Sequence, residues 1–192
     1  MSQHGSHRPL VLASASPRRV ELLRGAGYEF EIVMPQVEEA HDATLTPAAL
    51  TIENARRKAL AGSALHFEAL VIGADTLVYV DGDPLGKPAD LEEALRMVKR
   101  LSGRTHEVCT GVVFASDGVV RHELHVITHV TFKSLSDELI RDYHTRVNPL
   151  DKAGAYGIQA YTEMLLERME GSFTNVVGLP MDEVKEALQA LS

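Results

Sequence analysis

Residues 107–133, EVCTGVVFASDGVVRHELHVITHVTFK, constrain the fold of this chain more than any other stretch. Two runs rich in β-branched residues flank Asp117-Gly118. Such a pair readily takes the left-handed backbone of a two-residue hairpin turn. The segment is therefore expected to form a long antiparallel hairpin. A purely parallel sheet cannot hold one, because its neighbouring strands must be joined by crossovers. Strand and helix signals alternate elsewhere, so the expected class is α/β, with a mixed central β-sheet flanked by helices.

The other segments read in the same way. Leu10–Ala13 is a short apolar run closed by a Ser/Pro cluster, which favours a buried strand. Ser16 and Pro17 then signal a helix over about residues 17–24, with Ser16 as side-chain cap and Gly25 or Gly27 as stop. Residues 29–33 read as a strand, and Thr46-Pro47 opens a second helix over Pro47–Leu65. The run ALVIGADTLVYV is strongly β-type, interrupted at Gly73-Ala74-Asp75-Thr76 and followed by a turn at Asp81-Gly82-Asp83. In GKPADLEEALRMVKRLSG, Asp90 and Glu93 stand at capping-box spacing and Gly103 terminates an amphipathic helix. Ser136 caps a further helix that must end before Asn148-Pro149. Residues 151–159 are irregular, residues 165–169 form a short strand, and residues 180–191 form a terminal helix.

Composition narrows the partners. The 192 residues are 45% hydrophobic and 24% charged, an ordinary globular mixture, read as one domain over residues 9–192 behind a disordered lead-in at residues 1–8. A net charge of −8 gives no global basic field, so a nucleic-acid polymer is not an expected partner. The single cysteine, Cys109, excludes a disulfide framework and reads as a small core residue. No apolar run approaches the ~20 residues of a membrane span, and residues 1–8 lack a signal-peptide core, so no membrane partner and a cytoplasmic location are expected.

SASPRR, residues 14–19, poses the chemical question. Positive charges are unfavourable at a helix N-terminus, where N–H groups and the dipole attract anions. Arg18 and Arg19 beside the hydroxyls of Ser14 and Ser16 therefore suggest a local phosphate site, the alternative being a solvated first turn. Asp75 falls within an apolar strand, read as near its end, where open α/β sheets bind ligands. Unless it merely caps or turns the chain, such a carboxylate needs a cation or hydrogen bonds. DGDPLGKP fails as a phosphate loop of the G-x-x-x-x-G-K-[ST] type, with three residues between Gly82 and Gly86 and Pro88 in place of a hydroxyl. Lys87 still suits phosphate, or else is a surface lysine. Glu38, Glu39 and Asp75 suit an oxygen-rich Mg²⁺ or Mn²⁺ site, although loop acids are commonly solvated. His122 alternates away from His125 and His129, which argues against a three-histidine metal site.

LASASPRRVELL, VEEA, ARRKA, GADTLVYVDGDPLGKPADLEEALRMVKRLSGRTHEVCTGV, DKAGAYGIQ and GSFTNVVGLP together resemble the Maf family of nucleoside triphosphate pyrophosphatases, over residues 10–188. The resemblance implies a fold similar to inosine triphosphate pyrophosphatases, with a cleft between two lobes, a divalent cation and a homodimer. It implies that a small-molecule nucleoside triphosphate is hydrolysed to its monophosphate and pyrophosphate. Asp75 would be the base, Glu39 and Asp75 would hold the metal, and Lys58 and Lys87 would bind phosphates. Ser14, Ser16, Arg18 and Arg19 would cradle the triphosphate. DKAGAYGIQ resembles the members acting on dTTP and UTP, in which Arg18, Thr76 and Gln159 would mark base choice; Ala160 departs from the glycine usual there. The rival readings are a nucleotide-binding regulator of septum formation with little turnover, and a pyrophosphatase for methylated guanine nucleotides, which KAGAYGIQ disfavours. A pure binder gains nothing from clustered acids that repel phosphate.

Overall fold

The computed structural model describes residues 8–42 and 44–191. In chain order the elements are β1 (Leu10–Ala13), α1 (Pro17–Gly25), β2 (Glu31–Val33), α2 (Pro47–Leu65), β3 (Leu70–Val80), β4 (Asp83–Leu85), α3 (Leu91–Leu101), β5 (Thr105–Ser116), β6 (Val119–Phe132) and α4 (Asp137–Arg146). A 3-10 turn (Ala153–Ala155), α5 (Thr162–Leu165), β7 (Leu166–Glu170), α6 (Phe173–Val177) and α7 (Met181–Leu191) complete the chain. The expected lead-in at residues 1–7 lies outside the described residues. Arg8, its last member, is held: its Nη1 pairs with Asp117 Oδ2 at 2.9 Å.

The hairpin forms as its sequence indicates. Asp117 and Gly118 take φ of 55° and 73°, and β5 and β6 pair from Thr105↔Thr131 to Ser116↔Val119. The sheet order is β2-β1-β3-β5-β6-β7, with β4 beside β3. β1 runs parallel to β2 and β3, and the remaining pairs are antiparallel. The sheet is therefore mixed. The two largest apolar clusters among the described residues lie beneath different helices. One joins Leu12, Leu23, Ile72, Phe114, Leu179 and Leu188 beneath α1 and α7. The other joins Val78, Leu101, Val108, Phe132, Ile140 and Tyr143 beneath α3 and α4.

β3 departs from the expectation of an interruption at Gly73. It is one continuous strand, and Asp75 lies in its middle rather than near its end. Gly73 is present for packing: a Cβ there would stand 2.2 Å from the carbonyl oxygen of Ala55 and 2.6 Å from the nitrogen of Ala59. Gly111 on β5 serves α2 in the same way, since a Cβ there would stand 2.5 Å from the carbonyl carbon of Thr51 and 2.6 Å from the nitrogen of Ile52. Two bare positions on adjacent strands thus let the α2 backbone lie directly on the sheet.

The pairing of β3 also opens the cleft. One edge is covered by β5 from Val71 to Tyr79. The opposite edge meets β1 over Leu10↔Leu70 to Ala13↔Gly73, then β4 over Val78↔Leu85 to Val80↔Asp83. Residues 74–77 lie between these partners, with neither strand beside them. β1 ends there because the chain turns into Ser14 and α1, and that turn frames the cleft mouth.

Candidate active site

The notch holds a cavity of about 820 Å³, lined from β1 and α1 on one side and from β4 and the loop at residues 151–159 on the other. Ten of the residues singled out in the sequence line it: Ser14, Ser16, Arg18, Arg19, Glu39, Lys58, Asp75, Thr76, Lys87 and Gln159. Glu38 is not among the lining residues; its carbonyl oxygen instead accepts from Arg57 Nη1 at 3.0 Å.

Alternation along β3 sends Asp75 and Thr76 to opposite faces. Asp75 points toward α2, where Lys58 Nζ donates to its Oδ1 at 2.8 Å and Asn54 Nδ2 to its Oδ2 at 3.3 Å. Lys58 Nζ also pairs with Glu39 Oε1 at 2.6 Å, so one ammonium bridges the two acids. Burial pushes the Glu39 carboxyl up, but its hydrogen bond to Lys58 and the charges of Lys58, Lys87 and His41 together hold it below the usual carboxylate range. Lys87 is exposed at the cleft and makes no ion pair among the described residues.

On the other face Thr76 joins Arg19. Arg19 Nε donates to Gly178 O at 2.8 Å, Nη1 to Ser14 Oγ at 3.1 Å and Nη2 to Thr76 Oγ1 at 2.9 Å. Thr76 Oγ1 shares a further hydrogen bond with Thr110 Oγ1, which in turn donates to Asn175 O. Only 8% of Arg19 is exposed, and it has no ion pair among the described residues. Burial lowers its pKa and the charge of Arg18 adds to this, while Asp75 and Glu39 act in the opposite sense. A guanidinium offers five N–H groups, and three here are taken by neutral acceptors. The other two donors belong to a buried cation with no ion pair among the described residues. The expected side-chain cap by Ser16 is absent: its hydroxyl makes no cap bond, and its backbone N–H donates to Ser14 Oγ at 3.2 Å. The first turn of α1 is left without a side-chain cap beside Arg19.

Arg18 reaches across the cleft, donating from Nη1 to Asp151 Oδ2 at 3.0 Å and from Nη2 to Asp151 O at 3.2 Å. Gln159 is exposed and has no hydrogen bond to a described residue, so neither Arg18 nor Thr76 fixes its amide here. Its loop is nonetheless anchored. Tyr143 OH donates to Gly157 O and accepts from Gly157 N–H, both at 3.0 Å, and Gly154 N–H donates to Gly86 O. His122, His125 and His129 stay outside the cleft, and no group of three or more metal-binding side chains occurs among the described residues. Cys109 is buried, sharing a 3.4 Å contact with Thr51 Oγ1.

The sequence reading missed Asn54, Thr110, Asp151 and the short helix α6 that presents Gly178. Ser172 caps α6 by accepting from Asn175 N–H, and Gly178 follows at φ 128°, so the Ser-to-Gly spacing in GSFTNVVGLP is a usable signal. Asn54, four residues before Lys58, is marked only by being polar on the small-residue face of α2.

A mixed α/β sheet whose central strand is notched to admit acids on one face and an unpaired guanidinium on the other defines a pocket for a charged small molecule. The chain belongs to the Maf family: the model for Maf-like proteins matches residues 9–191. It is 45% identical to the dTTP/UTP pyrophosphatase of Akkermansia muciniphila over 95% of this chain and 96% of that one. It is 48% identical to the dTTP/UTP pyrophosphatase of Vibrio cholerae over 93% and 96%. The fold is shared with the Staphylococcus aureus Ham1 protein, at a TM-score of 0.51 and 14% identity over 96% of this chain and 100% of that one.

Proposed function

We propose that this chain is a nucleoside triphosphate pyrophosphatase that hydrolyses dTTP and UTP to the monophosphate and pyrophosphate. The observation that carries the reading is Arg19, a buried cation held by neutral acceptors and facing the same cleft as Glu39, Lys58, Asp75 and Lys87. A buried charge without a direct ion pair among the described residues is costly, and a polyphosphate would relieve that cost. The names of the close relatives support the substrate class.

Each side chain has work consistent with its geometry. Arg19 turns its two unused N–H groups to phosphate oxygens, and Lys87 adds a point charge from the opposite wall. Lys58 has three donors, of which two meet Asp75 and Glu39, leaving one for phosphate. Its charge also lets a polyanion approach two carboxylates. Asp75 orders the attacking water and takes its proton at a carboxylate oxygen, so no covalent enzyme intermediate arises. Glu39 and Asp75 fit a divalent cation, Mg²⁺ or Mn²⁺: both are hard oxygen donors close enough to share one ammonium, and with only two of them, water and substrate oxygens must complete the shell. When bound, that cation offsets charge on the phosphate oxygens.

The test is incubation of the pure protein with Mg²⁺ and a panel of nucleoside triphosphates, measuring pyrophosphate release, with Asp75→Asn as control. Release from dTTP and UTP above the other nucleotides supports the reading. A wild-type protein that binds nucleotide without turnover would return the site to a binding role.

A further inference from the structure

We propose that Asn54 is a positioning residue, a clamp that locks the loop carrying Glu39 onto α2 and ties it to Asp75. Its amide uses both ends on one loop residue: Ala40 N–H donates to Asn54 Oδ1 at 2.7 Å, and Asn54 Nδ2 donates back to Ala40 O at 3.3 Å. The same Nδ2 also donates to Asp75 Oδ2 at 3.3 Å. Asn54 is 3% exposed, so water does not substitute for these bonds. Spacing on α2 makes the grip continuous. Asn54, Arg57 and Lys58, at i, i+3 and i+4 on one helical face, hold Ala40, the carbonyl of Glu38 and the carboxylate of Glu39 respectively. Of the three, Asn54 alone bonds both to the loop backbone and to the strand acid.

The consequence is a fixed separation between two like charges. Glu39 sits on an irregular segment between β2 and α2, with no sheet or helix to locate it. Left to Lys58 alone, its partly exposed carboxylate would swing on a flexible stem. Pinning the adjacent backbone at Ala40 removes that freedom before any ligand arrives, which is preorganisation of a divalent-cation site. This inference rests on the reading of Glu39 and Asp75 as the acids of a nucleotide-hydrolysing site, but its first measurement does not.

That measurement is amide hydrogen exchange at Ala40 in the free protein, without metal or nucleotide. Asn54→Leu removes the amide at similar volume, and exchange at Ala40 should rise about tenfold or more while β3 amides stay protected. In turnover, kcat should fall and the Mg²⁺ concentration for half-maximal rate should rise, with nucleotide KM held within about twofold. Asn54→Asp keeps an acceptor for the Ala40 N–H but has no donor for Ala40 O or Asp75. It should preserve Ala40 protection and still lower kcat. Unchanged Ala40 exchange in Asn54→Leu overturns the clamp, as does wild-type kcat and Mg²⁺ dependence in both variants. If Asn54→Leu does not fold, Asn54→Asp decides alone: a wild-type kcat overturns the proposal, and a lowered kcat with intact Ala40 protection and nucleotide KM supports it. A wild-type protein without turnover leaves the exchange arm intact and fails only the functional reading.

Discussion

Gly73→Ala should damage the site without touching any residue in it. The new Cβ would lie 2.2 Å from Ala55 O, where ordinary contact begins at 3.4 Å. Both partners are backbone, one in the middle of β3 and the other in the middle of α2, so neither can rotate away. The helix must retreat by about 1.2 Å locally, the difference between those two distances. Ala55 is flanked by Asn54 and followed one turn later by Lys58, whose contacts to Asp75 are 3.3 Å and 2.8 Å. A retreat of that size takes both beyond hydrogen-bonding range and leaves the second at the outer limit of an ion pair. Overpacking of this kind costs about 1–3 kcal/mol, and a misplacement near 1 Å costs on the order of 10²-fold in rate. Urea unfolding followed by circular dichroism measures the first, and steady-state pyrophosphate release with dTTP and UTP the second. A folded Gly73→Ala protein with wild-type kcat would refute the view that close seating of α2 on β3 sets the acids.

Other consequences can be read separately. Arg19→Ala should weaken triphosphate binding more than monophosphate binding, by roughly 1.5–3 kcal/mol per lost charged hydrogen bond, as measured by calorimetry with matched nucleotides; equal losses would detach Arg19 from the phosphate chain. Gln159→Ala should lower dTTP and UTP turnover and narrow their advantage over CTP, because an amide can match the N–H and carbonyl of uracil and thymine; an unchanged UTP-to-CTP ratio would assign base choice elsewhere. His106 is buried with its Nε2 on Tyr156 OH at 2.8 Å, and burial pulls its pKa from 6.5 down to about 4. Between those values the unfolded chain binds a proton that the folded chain refuses, so stability should fall as pH drops through that window, by up to about 3 kcal/mol. Urea midpoints at pH 7.5 and 4.5 should differ less in His106→Gln than in the wild type.

Local signals located most elements because they act within a few residues. Asp117-Gly118, Thr46-Pro47, Asp90 with Glu93, and Ser136 each set a turn or helix start through their own backbone bonds, and each appears where its chemistry requires. Gly73 reads as a break in the sequence because a glycine inside a strand pattern has two meanings, a bend or a close approach. Only the distance from Gly73 to Ala55 and Ala59 separates them, and that distance depends on a helix between 14 and 18 residues upstream. The same limit hid Asp151 and Gly178, whose partners Arg18 and Arg19 are 133 and 159 residues away in the chain. Ser16 shows the reverse failure: a correct local rule placed the helix start, yet the side chain that bonds there is Ser14, two residues earlier, which accepts from the Ser16 N–H.

The position of Asp75 follows from what lies beside β3 rather than from β3 itself. A carboxylate in the middle of a central strand needs a cation or hydrogen-bond donors beside it. Here β1 stops at Ala13, opposite Gly73, and β4 begins to pair only at Val78, so the strand is central by order and an edge for residues 74–77. At that local edge, consecutive side chains from both faces line one cavity. Asp75 can then meet the cations and acids arranged by α2, while Thr76 reaches the guanidinium anchored by α1 and α6. Opposite chemistries, an acid cluster and a buried guanidinium, are kept apart by the thickness of one strand and still line the same cavity. On the proposed reading, such an arrangement suits a substrate whose reacting phosphorus faces Asp75 while its other phosphates are held by positive charge.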